Sequence, residues 1–107
     1  MTPEERAQAA RDAFRNGANC SQAVTLAFVD VLEEAGITPD LAERLSSPFG
    51  GGMGRMREVC GAVSGMLMVL GATEGYARSE GDGAKALLFV EKIRAALAEA
   101  EIEVKAF

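Results

Sequence analysis

The sequence has 107 residues, 49% of them apolar and 25% charged, which suits one domain able to bury about two-thirds of its surface without disulfides or metals. Its formal net charge of −5 argues against nucleic acid or an anionic membrane surface as partner, and no apolar run approaches the roughly 20 residues of a membrane span. Histidine is absent and cysteine occurs twice, which removes Ser-His and Cys-His catalysis, imidazole-ligated haem and histidine-containing zinc sites.

Thr2-Pro3-Glu4-Glu5 predicts a helix start, with Thr2 as cap, Pro3 at the first position and Glu5 as the reciprocal partner of a capping box. Ala7, Ala10 and Phe14 form the inner stripe of this helix, and Gly17 ends it. Asn19 caps the next helix, Gln22 completes a second box, and Cys20 falls in the first turn. Val24, Phe28, Val31 and Ala35 are expected to face inward along it before Gly36 closes it. Thr38-Pro39-Asp40 opens a short third helix that Ser46-Ser47-Pro48 terminates, and a glycine loop follows. From about residue 56 to 70 apolar residues fall on every side, Val59, Val63, Met66, Leu67 and Leu70 among them, predicting a buried central helix. Arg78 to Gly83 reads as a hydrophilic turn, after which Ala86, Phe89, Val90, Ile93, Leu97 and Ala100 make one stripe of a final helix. Apolar and polar residues never alternate over a strand's length, and no repeat is visible. The expectation is an all-α fold, a compact bundle of about five helices around the central one.

The polar opening Thr2-Pro3-Glu4-Glu5-Arg6 is unlike a signal peptide, so a soluble, cytoplasmic protein without membrane insertion is expected. In such a reducing compartment two cysteines suit inert core thiols or a switchable pair better than a permanent staple.

The chemistry-bearing block runs from Phe49-Gly50-Gly51-Gly52-Met53-Gly54-Arg55-Met56 into Cys60-Gly61-Ala62-Val63-Ser64-Gly65. Gly50, Gly51, Gly52 and Gly54 permit backbone angles closed to other residues and close approach by another chain or ligand. Gly61 and Gly65 lie four apart on one helical face, so another backbone, most simply that of the second helix, can pack beside Cys60. At the start of its helix Cys20 sits where unpaired amides and the helix dipole favour a thiolate; the alternative is a small buried hydrophobe. Arg55, Arg57 and Glu58 are the charged neighbours of Cys60, and either arginine is able to stabilise a thiolate there or to remain solvated. A phosphate cradle lacks context, since no strand precedes the glycines and no Gly-Lys-Ser/Thr follows. Met53, Met56, Met66 and Met68 read as core filling rather than soft-metal ligands. The two cysteines are too far apart in sequence for a C-x-x-C motif or a zinc knuckle.

The glycine loop, the C-G-A-x-x-G element at Cys60 to Gly65 and the segment Asn19-Cys20-Ser21-Gln22-Ala23-Val24 together resemble the C_GCAxxG_C_C family, classed as redox-active, over roughly residues 10 to 90. The resemblance implies a thiol protein in which Cys20 and Cys60 exchange between dithiol and disulfide with a redox partner protein, no cofactor being required. Four cysteines give the family its name, and a second pair is expected beyond the helix holding Phe89, Val90 and Ile93. This sequence has no counterpart, so it represents either a short member or a chain whose C-terminal segment is missing from it. Two cysteines complete a four-thiolate metal or iron-sulfur site only across a homodimer. That dimer is the second reading, and a non-catalytic helical module that oligomerises through its small-residue face is the third.

Overall fold

The computed structural model describes residues 1–77 and 83–99, and among these all regular structure is helical. The helices are α1 (Pro3–Arg15), α2 (Cys20–Leu26), α3 (Val29–Glu34), α4 (Pro39–Ser46), α5 (Gly61–Glu74) and α6 (Gly83–Glu99), with a single 3-10 turn at Ser47–Phe49. Both expected capping boxes form: Thr2 with Glu5 at the start of α1, and Asn19 with Gln22 at the start of α2. None of the described helices is long and apolar enough to cross a membrane.

α5 is the central helix, displaced from its expected span. It begins at Gly61 because the glycine loop continues to Val59, leaving Cys60 as the residue before the first turn, and it runs on to Glu74. Its Gly61, Val63, Gly65 and Val69 are buried. A Cβ on Gly65 would stand 2.7 Å from the Ser21 carbonyl oxygen and 3.1 Å from Thr25 Oγ1. The backbone of α2 therefore lies directly against α5, as the glycine spacing predicts, and no side chain fits between them.

The stretch expected as one helix to Ala35 divides into α2 and α3. Phe28 takes φ −116° and ψ 23°, and the Ala27 carbonyl accepts a 2.9 Å bond from Arg6 Nη1 of α1. The same guanidinium pairs with both Asp30 oxygens at 2.7 and 3.2 Å and lies 4.5 Å over the Phe28 ring. This division rotates the buried face. Ser21, Ala23, Thr25, Ala27 and Leu32 are buried, whereas Val24, Phe28 and Val31 are half-buried and Ala35 is exposed.

Three further expectations about the core are corrected. In α1 no residue is fully buried, and Phe14 is 58% exposed at the mouth of a cleft. Met53 and Met56 are exposed on the glycine loop rather than filling the core, while Met66 and Met68 are half-buried. On α6, Ala86, Phe89, Ile93 and Leu97 are half-buried as expected, but Val90 is exposed along with Leu87 and Leu88. α6 meets the end of α5 through the edge-on ring pair Tyr76–Phe89 and a 2.8 Å bond from Lys92 to Glu74. Ala100 and residues 78–82 of the expected turn lie outside the described residues.

The core itself is small. Leu32, Ala42 and Val69 form its buried cluster, with Phe28, Ile37 and Ala72 packed around them. With side chains this short, stability depends on how closely the backbones approach.

Two predictions follow from this packing. Gly65→Ala is expected to destabilise the fold by about 1–3 kcal/mol, because the added methyl group overpacks against a fixed carbonyl and outweighs alanine's helix preference. Gly71→Ala on the same helix has open space and should instead stabilise by about 0.5–1 kcal/mol; urea titration of both variants measures the contrast. The Arg6 hydrogen bond holds the Asp30 carboxyl down at about 2, below its ordinary 3.8. A lowered carboxyl favours the fold above its unfolded value, and that contribution disappears as pH falls from about 4 towards 2. Asp30→Asn should therefore lower Tm at pH 6 and converge with the parent at pH 2.

Candidate functional site

Cys20 is the first residue of α2, and its position is fixed by the capping box beneath it. Asn19 Oδ1 accepts from the Gln22 amide and Gln22 Oε1 from the Asn19 amide, both at 2.9 Å. The same two side chains also reach outward. Asn19 Nδ2 donates to the Ser47 carbonyl at 2.9 Å and Gln22 Nε2 to the Glu43 carbonyl at 3.2 Å. The box thus anchors the start of α2 to the end of α4 as well as closing the helix. A Cβ on Gly50 would stand 2.5 Å from the Asn19 amide group, so only glycine admits this cap.

The sulfur of Cys20 rests against Gly61, where any Cβ would collide with Sγ and stand 2.9 Å from the Phe49 carbonyl oxygen. Cys60 immediately precedes Gly61. It has φ −55° and ψ 130°, and its carbonyl accepts from the Val63 and Ser64 amides at 3.0 and 3.1 Å. Both thiols are free and half-buried. The fold thus brings the Cys20 sulfur to the residue adjoining Cys60, through the glycine that the C-G-A-x-x-G element supplies.

Between Phe49 and Cys60 the chain coils in a left-handed sense. Gly51, Gly52 and Gly54 have φ of 66°, 79° and 65°, and Met53, Arg55 and Arg57 have 65°, 64° and 58°. For the three residues with side chains this conformation costs about 1–2 kcal/mol each. The coil is held by long-span amide bonds, including Gly54 to the Pro48 oxygen at 2.7 Å, Arg57 to Gly51 at 3.2 Å and Glu58 to Gly52 at 3.0 Å. Gly52 is buried beneath it. Arg55 folds its stem over Gly51, where a Cβ would meet Arg55 Cγ at 2.8 Å.

This coil forms one wall of a cleft of about 730 Å³ that contains Cys20, Phe14, Arg55 and Arg57. A second cleft of about 270 Å³ also touches Cys20 and Phe14 and is lined in part by Arg11 and Arg15 of α1. Among the described residues neither lining includes an aspartate or glutamate. Arg55 and Arg57, neighbours of Cys60 in sequence, thus share their cleft with Cys20. Sequence reasoning also missed Phe14, Arg11 and Arg15 as surroundings of the thiol. Their one sequence signal is the recurrence of arginine along α1, which reads equally well as a solvated helix face. Gly65 lies one turn further along α5 and positions α2 without lining either cleft.

Ser21, next to Cys20, is fully buried, and its Oγ has no hydrogen-bond partner. Thr25 Oγ1 donates to the Ser21 carbonyl at 2.8 Å. Among the described residues no group of three or more Cys, Asp or Glu side chains is arranged to hold a metal ion.

No curated protein and no solved structure matches the chain. Residues 18–101 match the family model described as "Putative redox-active protein (C_GCAxxG_C_C)". That span takes in the capped Cys20, the left-handed glycine coil and the C-G-A-x-x-G turn into α5, and the chain belongs to the C_GCAxxG_C_C family.

Proposed function

We propose that this protein is a dithiol–disulfide exchange protein in which Cys20 attacks and Cys60 resolves, working with a redox partner protein in a reducing compartment. The observation that carries the reading is the contact of the Cys20 sulfur with Gly61, next in the chain to Cys60. The Cys20 thiolate attacks one sulfur of the partner's disulfide; an S–S bond to Cys20 forms, the partner's own bond breaks, and its second sulfur leaves and takes up a proton. Cys60, once deprotonated, then attacks Cys20 Sγ, closing the internal disulfide and releasing the partner's remaining thiol. Two protein thiols are oxidised and one partner disulfide is reduced, and the reverse sequence oxidises a partner dithiol. Closure needs the two Cα atoms within about 4.4–6.8 Å.

Two other readings compete. A metal or iron-sulfur centre would draw its thiolates from two chains, and stoichiometric metal in anaerobically purified protein would be its signature. A non-catalytic oligomerising module would keep its partner binding when both cysteines are replaced by alanine.

Treatment of the reduced protein with a neutral disulfide should give a monomer lighter by two hydrogen atoms, with Cys20 and Cys60 linked in its peptide map. Cys60→Ser should stop at a mixed disulfide on Cys20. Products limited to scrambled intermolecular adducts would sink the mechanism. Gly61→Ala retains both cysteines but adds a methyl group where the Cys20 sulfur lies, and it is expected to slow internal closure by about tenfold or more, whereas Gly71→Ala should leave closure unchanged.

A further inference from the structure

We propose that the outer face of α6 is a self-association surface, on which a second copy of this chain lays its own α6 antiparallel about a two-fold axis. The surface is separate from the thiol site and does not depend on the exchange reading above.

α6 is apolar on more than one side. Its half-buried stripe, Ala86, Phe89, Ile93 and Leu97, recurs every three or four residues, the spacing of a helix face laid on a protein body. On the side turned away from that stripe Leu87, Leu88 and Val90 are 60%, 65% and 39% exposed, and exposed Ala95 and Ala98 continue the apolar surface along the helix. Three large apolar side chains exposed within four residues form a patch rather than the scattered single residues of an ordinary surface, and such patches mark docking sites. The small-residue face of α5 is closed to a second copy, because α2 occupies it at Gly61 and Gly65.

The occupant is a second copy because the face is complementary to itself. Helical spacing places Leu87, Val90, Glu91, Arg94, Ala95 and Ala98 together on it. Large side chains stand at its N-terminal end, alanines at its C-terminal end, and the exposed pair Glu91 and Arg94 between them. An identical face turned end for end, with Glu91 set against the partner's Arg94, matches it at every level. Two carboxylate–guanidinium pairs form across the axis, Leu87 lies on the partner's Ala98, and Val90 lies on the partner's Ala95. Alanine opposite a larger side chain lets the helix axes approach to about 8 Å. A parallel pair would instead set Glu91 on Glu91 and Arg94 on Arg94, and like charges in contact oppose association. The antiparallel contact is also closed, each copy using the same residues, so association stops at two. One helix pair falls at the low end of specific interface sizes, so the dimer is a reversible one with Kd of about 10–100 µM.

Sedimentation velocity on the full-length chain at about 1–500 µM tests the surface, with a reductant present so that no intermolecular disulfide contributes. The parent should pass reversibly from monomer to dimer across this range. Leu87→Glu should weaken the dimer about tenfold or more. Glu91→Arg and Arg94→Glu should each weaken it about tenfold. These two substitutions move net charge in opposite directions, so a loss common to both reports the local pairing. Mixing the two single variants should restore dimers, now heterodimers, and the double variant Glu91→Arg/Arg94→Glu should dimerise like the parent. All the substituted side chains are exposed, and far-UV circular dichroism should show each variant as helical as the parent. A parent that remains monomeric at the highest concentration would overturn the proposal, leaving the face bare or covered by the chain's own residues. A dimer indifferent to Leu87→Glu, losses in the single variants without recovery in their mixture, or growth beyond two copies would overturn it equally.

Discussion

The close approach of α2 to α5 is the constraint on which the rest of the structure depends. Gly61 and Gly65 present a helix surface without side chains, and α2 lies on it with Cys20 Sγ, the Ser21 carbonyl and Thr25 Oγ1 close to the positions that Cβ atoms would otherwise take. In a core built largely of alanine, glycine and serine, close backbone packing supplies the dispersion contacts that larger side chains provide elsewhere. The same contact sets a thiol beside the residue that follows the second thiol, so the packing and the proposed chemistry share one interface.

Local devices around this contact serve two purposes each. The Asn19–Gln22 box closes the amide end of α2 and simultaneously binds carbonyls of Glu43 and Ser47, which fixes α4 and the following turn against the site. Arg6 donates to the Ala27 carbonyl freed where α2 gives way to α3, and its pairing with Asp30 and contact with Phe28 hold α1 across that break. α1 in turn contributes Arg11, Arg15 and Phe14 to the surroundings of Cys20. The left-handed coil accepts strain at three residues with side chains and sets two arginines along the larger cleft.

Much of the scaffold was legible in the sequence because its signals are local. Caps, boxes and helix-ending glycines act over three or four residues through the chain's own amides, and Thr2, Asn19, Gly17 and Gly36 occupy the helix boundaries expected of them. The glycine pair on α5 also disclosed its partner correctly, since two missing side chains on one helical face leave space for a neighbouring backbone. The all-helical class and the family segments followed from the same short-range patterns.

What tertiary structure alone decided concerns groups far apart in the chain. Apolar periodicity ran through residue 28 without interruption, and no local signal marked that a guanidinium from α1 would take the Ala27 carbonyl and divide the helix. Met53 and Met56 read as core because methionines on a buried helix usually fill space, but these two lie before the helix, on a left-handed coil that turns them to solvent. Arg55 and Arg57 stand near Cys60 in sequence and share a cleft with Cys20 instead. The sequence by itself determined which residues end helices, which face of α5 lacks side chains and which atoms are nucleophilic, all properties of residue type and short spacing. Only the folded chain determined which arginines surround which sulfur, because the direction of a side chain leaving a coil with positive φ depends on contacts closed over many intervening residues.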